Sequence, residues 1–231
     1  MRKSKILSLL RSANTIIFLG VGLLLLGVLG YAAYQIYMNT FRERSISGVV
    51  NTAQDKPLQF SLGSLIPIAG TPYYLAPISA EQNYRQDYYD KAATSVRNYL
   101  VININEQSAV RLLPQNNSLL LNAEAVGQKN DKGEIIKAEA LWYQVVKTDT
   151  NGDQRLTEAD TKAIALSDVS GKNYTEVLPQ IDRLLATVQP TPTTLMLVYE
   201  LKQKNYITQI NIPQRQVIKT QELPAINRPP A

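Results

Sequence analysis

The fold is decided by a repeated hairpin, whose central copy reads Ile164-Ala165-Leu166-Ser167-Asp168-Val169-Ser170-Gly171-Lys172-Asn173-Tyr174-Thr175-Glu176-Val177-Leu178-Pro179. Apolar runs on both sides of a polar turn that contains glycine are typical of two antiparallel strands. Similar hairpins cover residues 99–114 and 206–224. Each copy ends in the same dipeptide, namely Leu113-Pro114, Leu178-Pro179 or Leu223-Pro224. The copies predict a repeating antiparallel sheet with these dipeptides at equivalent corners.

The spacing of the copies favours a propeller-like architecture. The paired prolines lie 65 and then 45 residues apart, and a period of about 45 residues is that of a four-stranded propeller blade. The longer first interval predicts an insertion between two strands. Further strands are predicted at residues 134–147 and 193–201. A closed propeller needs at least four blades, and the chain has room for fewer than three, so we expect a mainly β, incomplete, antiparallel propeller-like domain.

The central hairpin resembles the repeats of TolB-like propellers, which carry a Ser-Asp-x-x-Gly turn between strands. Here that turn is formed by Ser167, Asp168 and Gly171. The resemblance covers about a third of the chain. It implies a propeller-type fold.

The predicted insertion carries an ordered series of oxygen-bearing side chains. The stretch Asp149-Thr150-Asn151-Gly152-Asp153-Gln154-Arg155-Leu156-Thr157-Glu158-Ala159-Asp160 resembles the calcium loop of EF-hand and dockerin proteins. The resemblance implies one Ca²⁺ bound at loop positions 1, 3, 5, 7, 9 and 12. The ligands would be the side chains of Asp149, Asn151, Asp153, Thr157 and Asp160, with the backbone carbonyl of Arg155.

Two departures from the EF-hand pattern predict weaker calcium binding. Gln154 stands at position 6, where Gly permits the sharp turn, and Asp160 stands at position 12, where EF-hands use Glu. The alternative is a metal-free turn stabilised by the Asp and Asn side chains. Thr157 and Asp160 also predict a cap on a short helix at 158–162.

The first part of the chain predicts a membrane anchor. Residues 14–38 contain no charge, and this length is sufficient to cross a bilayer as one helix. Arg2, Lys3, Lys5 and Arg11 precede it, and the first acidic residue of the chain is Glu43. The positive-inside rule then places the N-terminus in the cytoplasm and the β domain outside it, in the periplasm if the cell is Gram-negative. A cleaved signal peptide is the rival interpretation.

Residues between the anchor and the repeats are less decisive. Short strands are predicted within residues 45–78, and a stalk within its first part. Residues 81–99 contain Tyr84, Tyr88, Ala92 and Val96 at helical spacing, which predicts a helix, and a tyrosine-rich loop is the alternative. The predicted organisation is a basic tail at 1–13, a transmembrane helix at 14–38, a stalk at 39–60, the β domain at 61–226 and a short tail at 227–231.

Composition narrows the function. The chain contains no Cys and no His, which excludes thiolate chemistry and Ser-His catalysis. Four of the 24 basic residues precede the anchor, and the remainder is nearly balanced by the 19 acidic residues, so no nucleic-acid partner is predicted. We predict a single-pass, membrane-anchored, extracytoplasmic accessory protein with a structural calcium loop and a protein partner in a membrane complex. It is predicted not to be an enzyme. A calcium-responsive envelope sensor and an extracytoplasmic hydrolase are the alternatives.

Overall fold

The chain divides into two compact units, Met1–Arg44 and Ser45–Ala231. The computed structural model describes residues 18–35, 48–53, 58–86 and 89–225, and between residues 83 and 93 it describes the backbone only. The predicted tails at 1–13 and 227–231 and much of the predicted stalk lie outside the described residues. In the first unit, helix α1 spans Phe18–Gln35 with a mean hydropathy of 1.7. It is long and apolar enough to cross a membrane, a property that signal sequences share.

The second unit consists of antiparallel sheets. Its strands are β1 Val50–Asn51, β2 Phe60–Leu62, β3 Ile66–Pro67, β4 Tyr73–Gln86, β5 Tyr89–Asn103, β6 Ser108–Arg111, β7 Leu119–Lys129, β8 Ile135–Val146, β9 Arg155–Leu156, β10 Lys162–Asp168, β11 Thr175–Ile181, β12 Arg183–Thr191, β13 Thr194–Leu201, β14 Lys204–Asn211 and β15 Gln216–Glu222.

Most of these strands form three successive sheets, here called blades. Blade 1 has the order β2-β4-β5-β6, with β3 also paired to β4; blade 2 has β7-β8-β10-β11 in spatial order; blade 3 has β12-β13-β14-β15. Each blade is a meander of consecutive antiparallel strands, which is the arrangement of propeller blades. The expectation of a mainly β, propeller-like domain is confirmed.

The sequence repeat corresponds to one part of each blade. The three predicted hairpins are β5–β6, β10–β11 and β14–β15, which are the third and fourth strands of blades 1, 2 and 3. The strands predicted at 134–147 and 193–201 are β8 and β13. The described chain forms three blades, so the expectation of fewer than three was wrong.

The Leu-Pro dipeptides do not occupy equivalent corners. Leu178-Pro179 lies inside β11, whereas Leu113-Pro114 and Leu223-Pro224 follow the ends of β6 and β15. The fourth strand of blade 2 continues past its proline because it stays paired with β10 as far as Ile181, opposite Lys162. A shared dipeptide therefore does not fix a shared position in the sheet.

Blade 2 is packed on both faces. On β8, Leu141, Tyr143 and Val145 belong to a core shared with blade 1, which also contains Leu75, Tyr99 and Val101. The alternate residues Ala140 and Trp142 belong to a second core shared with blade 3. Because successive side chains of a strand point to opposite faces, β8 has apolar side chains on both of its faces. The blade 3 members of the second core include Leu195, Leu197, Tyr199, Ile210 and Ile212.

The turn of the central hairpin contacts both neighbouring blades. Gly171 has a φ of +76°, and a Cβ there would lie 2.6 Å from a methyl group of Val101 in blade 1. The conformation and the close approach both require glycine. On the other side, the carboxylate of Asp168 forms an ion pair with Arg215 at the β14–β15 turn of blade 3.

The predicted helix at residues 81–99 was wrong. Residues 81–86 lie in β4 and residues 89–99 lie in β5, whereas residues 87 and 88 are outside the described residues. The two strands pair from Tyr73↔Asn103 to Gln86↔Tyr89, with one register shift between Ile78 and Ser79. The alternative of a tyrosine-rich loop was also wrong, because both sides of the hairpin are strands. Pairing across the hairpin satisfies backbone groups of both segments, and this tertiary effect overrides a helical spacing of apolar residues.

Candidate functional site

The predicted loop is an insertion in blade 2, as its spacing indicated. β8 ends at Val146 and β10 begins at Lys162, and these two strands pair directly with each other. The intervening residues contain β9, which is Arg155–Leu156. β9 pairs outside its own blade with β1, through Val50↔Leu156 and Asn51↔Arg155. The insertion therefore joins the segment after the apolar helix to the β domain.

Side-chain oxygens organise the first half of the loop. Asp149 accepts hydrogen bonds from the amides of Gly152 and Gln154, each at 2.7 Å. Asn151 accepts from the amide of Asp153 at 2.9 Å, and Asp153 accepts from the amide of Arg155 at 3.0 Å. These are Asx-type turns, in which a side chain satisfies backbone donors a few residues further on. The loop holds its shape through its own backbone amides.

The turn at loop position 6 is sharp despite the absence of glycine. Gln154 has a φ of +63°, and Gly152, two residues earlier, has a φ of +79°. A non-glycine residue in the left-handed region costs roughly 1–2 kcal/mol. The predicted departure from the EF-hand pattern at Gln154 is therefore a place where the backbone is strained.

Asp160 closes the base of the loop. Its side chain is buried, with Oδ1 accepting from the amide of Thr150 at 2.7 Å and Oδ2 accepting from the amide of Thr157 at 2.8 Å. Burial acts to raise the pKa of Asp160, but the hydrogen bonds from Thr150 and Thr157 outweigh it and place the pKa below its ordinary value. Asp160 is thus held as a carboxylate that ties the two ends of the loop together.

The short helix predicted at residues 158–162 was wrong. One turn forms, in which the amide of Asp160 donates to the carbonyl of Thr157 at 3.2 Å, and Lys162 already belongs to β10. The chain leaves the turn early because Lys162 pairs with Ile181 of β11. Thr157 and Asp160 do form a turn, as the capping pattern predicted, but the element that follows the turn is strand β10 and not a helix.

The predicted ligands form one loop without forming an assembled metal centre. Among the described residues, no group of three or more acidic side chains is placed to hold a metal ion. Asp149 and Asp153 accept hydrogen bonds from backbone amides in the first half of the loop, and Asp160 accepts them at its base. Carboxylate oxygens have lone pairs beyond these bonds. This geometry is that of a self-satisfied turn.

A second cluster of contacts, not found from the sequence, fixes residues 49–52; we call this stretch the tether segment. The amide and carbonyl of Val49 bond to Oγ of Ser95, at 3.0 and 2.6 Å. The amide and carbonyl of Asn51 bond to the side-chain amide of Gln82, at 2.9 and 3.1 Å. The amide of Thr52 donates to the carbonyl of Gln154 at 3.0 Å. Backbone groups of the tether segment are thus satisfied by blade 1 and by the loop.

An apolar contact completes this attachment. Val50 is 1% exposed and packs with Leu119, Val146 and Leu156 in a cluster of its own. The sequence predicted a stalk over residues 39–60, and the structure places Val50 in the β domain instead. The pairing is long-range, because 31 residues separate Asn51 from Gln82. A contact over this distance is not predicted by the sequence pattern around either residue.

Two buried basic residues lie beside the loop and the tether segment. Lys162 is 1% exposed and its ammonium donates to the carbonyls of Asp160 and Asp182, at 2.8 and 2.5 Å. Burial lowers its pKa, and the nearby acids Glu158, Asp182 and Asp160 act in the opposite direction. Arg97 is also buried, donates to Gln82 at 3.4 Å, and has its pKa lowered by burial to about 10. Lys162 thus joins the turn at Asp160 to the connection at Asp182, and Arg97 joins Gln82 of β4 to the carbonyl of Asn116.

Comparison with known proteins finds distant similarity to solved structures. No family model and no curated protein matches it. A solved structure described as the β-propeller domain of the Trilobed protease from Pyrococcus furiosus, with an open velcro topology, matches 73% of the chain at 11% identity and a TM-score of 0.38. The chain spans 45% of that structure. A structure of a nidogen/laminin complex matches 69% of the chain and 79% of its own length, at 10% identity and a TM-score of 0.25.

Proposed function

We propose that the protein is a membrane-anchored, extracytoplasmic interaction module that serves as an accessory subunit of a membrane complex. The observation that carries the proposal is the combination of an apolar helix, Phe18–Gln35, with a propeller-like β domain. Sheet assemblies of this kind offer extended surfaces for protein partners. The proposal gives the chain no enzymatic activity.

The tether segment supports this proposal. Val49 and Asn51 are bonded through both their amide and carbonyl groups, and Val50 is buried. The stretch at residues 49–52, which follows the apolar helix in sequence, is therefore part of the β domain.

Topology and retention of the helix are tested first. We expect protease added to intact spheroplasts to digest the β domain, and the chain isolated from membranes to retain residues 18–35. Protection of the domain until lysis would contradict the orientation. An intact mass that lacks the helix would show a cleaved signal sequence instead of an anchor.

The partner is tested by purification in mild detergent. We expect one or a few membrane proteins to co-purify with the tagged wild-type chain in fixed ratio. The control is the same chain with Val50→Asp, which is expected to release the tether segment. A chain that purifies alone from gently solubilised membranes, at its native expression level, would oppose the accessory role.

Calcium binding by the loop is a separate proposal, supported by the alternation of Asp149, Asn151 and Asp153 along the loop and by Asp160 at its end. Binding to the folded state alone stabilises a protein by about 1.4 kcal/mol at ten times the dissociation constant. We expect calcium to raise the melting temperature of the wild type but not of Asp149→Ala/Asp153→Ala.

The control for the calcium experiment is Asp131→Ala, which removes an acid from the β7–β8 turn outside the loop. It should keep the calcium response. Equal melting of the wild type in calcium and in chelator, with no heat of binding by calorimetry, would show a metal-free turn. In that case the sensor alternative fails as well, whereas the accessory role is unaffected.

A further inference from the structure

The insertion in blade 2 contains an asparagine directly followed by a glycine, Asn151-Gly152, and the sequence has no other such pair. Asparagine is thermolabile, because the backbone nitrogen of the next residue can attack its side-chain amide. Glycine in the next position hinders that nitrogen least, since it carries no Cβ. Both residues are exposed, and a Cβ at Gly152 would have open space around it. The nitrogen and the amide are therefore both accessible to solvent.

The nitrogen of Gly152 is hydrogen-bonded to a carboxylate. It donates to Oδ1 of Asp149 at 2.7 Å, and Oδ2 of the same carboxylate accepts from the amide of Gln154. A carboxylate within hydrogen-bond reach of an N–H can act as a general base toward that proton. A deprotonated amide attacks with a lone pair perpendicular to the peptide plane, so a base bonded along the N–H leaves the direction of attack free.

The side-chain carbonyl that would be attacked is also hydrogen-bonded. Oδ1 of Asn151 accepts from the amide of Asp153 at 2.9 Å. An N–H donor at this oxygen stabilises the negative charge that develops there when the carbonyl carbon becomes tetrahedral. One turn thus supplies a base for the attacking nitrogen and a donor for the developing oxyanion.

We propose that Asn151 is a self-modification site, at which deamidation yields aspartate and isoaspartate with Asp149 as the base. The nitrogen of Gly152 forms a bond to Cγ of Asn151, and its proton passes to the carboxylate of Asp149. The Cγ–Nδ2 bond then breaks, Nδ2 takes that proton and leaves as ammonia, and a five-membered succinimide remains. A water molecule from the solvent opens the ring at either carbonyl carbon. No oxidant or reductant takes part.

Both products change the loop. Each places a carboxylate at position 151, which adds one negative charge to a loop that already contains Asp149 and Asp153. Isoaspartate also routes the main chain through the former side chain, which lengthens the backbone shortly before β9. Since β9 pairs with the tether segment, the reaction changes the loop to which that segment is attached. It needs neither a metal nor a protein partner, so it is independent of both functions proposed above.

Peptide mapping of the folded, full-length chain in detergent measures the reaction. Samples kept at neutral pH for increasing times are cut with a glutamate-specific protease in mildly acidic buffer, and mass spectrometry separates the amide from its two acid products. The internal control is Asn130, whose Oδ1 likewise accepts from an amide, that of Lys132 at 3.0 Å, but which is followed by Asp131. A positioned base contributes about 10²–10⁴-fold in enzymes, so we expect Asn151 to convert at least about tenfold faster than Asn130.

Two comparisons separate the effect of the fold from the reactivity of any Asn-Gly pair. Conversion at Asn151 should be faster in the folded chain than in the chain unfolded by urea, and Asp149→Asn should slow it about tenfold. Asn151→Gln should show no conversion on the same time scale, because its side chain would have to close a larger ring. Conversion no faster than at Asn130, an equal or higher rate in urea, or an undiminished rate in Asp149→Asn would overturn the proposal.

Discussion

At the scale of single residues, the shape of the loop is stabilised by side chains that accept hydrogen bonds from backbone amides. Asp149, at the start of the loop, accepts hydrogen bonds from two backbone amides. Asp160, at its end, accepts hydrogen bonds from two more. The sequence singled out both residues as calcium ligands, through a resemblance to calcium loops. Their contacts explain why acids are needed even without a metal, since a carboxylate can accept several hydrogen bonds in a short turn.

Replacing Gln154 by Gly should stabilise the domain. The φ of +63° is strained for glutamine and relaxed for glycine. Relief of this strain is partly offset, because glycine gives the unfolded chain extra conformational entropy. We therefore expect a net gain of about 0.5–1 kcal/mol in unfolding free energy. Denaturant unfolding of the full chain in detergent measures it. The control Gln214→Gly, at an exposed turn residue without positive φ, should lose stability; a loss of similar size in Gln154→Gly would contradict the strain.

Asp160→Asn should make the protein less stable at neutral pH, with an effect that fades in acid. The folded pKa lies below the unfolded value of about 3.9, so the carboxylate stabilises the fold above that value and loses its effect as pH falls through the folded pKa. Asn offers one oxygen to the two amide donors of Thr150 and Thr157. We expect a deficit of about 1–3 kcal/mol at pH 7.

The measurement for Asp160→Asn is denaturant unfolding at several pH values between 3 and 7. The difference between wild type and variant isolates this group from the other carboxylates that titrate in the same range. It should shrink steadily below about pH 4. A difference that stays constant across the range would show that the ionised form of Asp160 is not what the loop requires.

At the scale of elements, the short strands β1 and β9 connect two distant parts of the chain. They form a two-stranded sheet that joins the tether segment to an insertion in blade 2. Neither would persist alone, because an isolated two-stranded pair is marginal in water. Burial of Val50 against Leu119, Val146 and Leu156 and the side chains of Ser95 and Gln82 supply the missing stabilisation.

Val50→Asp should release the tether segment while the blades stay folded. An unpaired carboxylate in this apolar cluster costs several kcal/mol, and local opening avoids that cost. We expect the amides of Val49 and Asn51 to exchange with solvent much faster than in wild type, with exchange in β8 unchanged. The control is Thr52→Asp, at an exposed position of the same segment. Equal protection of these two amides in Val50→Asp and wild type would contradict the role assigned to Val50.

At the scale of the whole molecule, blade 2 couples the other two blades. Its residues alternate between two cores, so neither face of β8 is free of tertiary contacts. The insertion adds a third attachment through β9. Both core clusters of the described β domain that involve blade 1 or blade 3 therefore include residues of blade 2.

Leu141→Ala should lower stability by about 2–5 kcal/mol in a single transition. Leu141 is 1% exposed and lies in the core between blades 1 and 2, and removal of a buried leucine leaves a cavity. Because blade 2 belongs to both cores, blade 3 should unfold together with blade 1. The fluorescence of Trp142, which reports the other core, should follow the same curve as circular dichroism. Two separate transitions would show that the cores are independent.

Local patterns in the chain were enough to predict the hairpins and the insertion. Alternating apolar residues and a turn with Gly171 specify β10–β11 because the two strands are neighbours in sequence and need no distant partner. The apolar helix at Phe18–Gln35 is likewise readable from composition. Asp149, Asn151 and Asp153 marked the loop because Asx turns act within two to five residues.

Contacts between distant residues settled the rest. Residues 81–86 and 89–99 are strands because β4 and β5 satisfy each other's backbone groups in pairs that reach from Gln86↔Tyr89 to Tyr73↔Asn103, although their apolar spacing also suits a helix. Within the predicted stalk, Val50 lies in the β domain because it pairs with Leu156, which is more than 100 residues away. Asp160 accepts hydrogen bonds from the amides of Thr150 and Thr157, and the bond from Thr150, ten residues earlier, forms only when the loop closes at its base. Pairing and burial at such separations depend on the whole fold, and no short stretch of sequence encodes them.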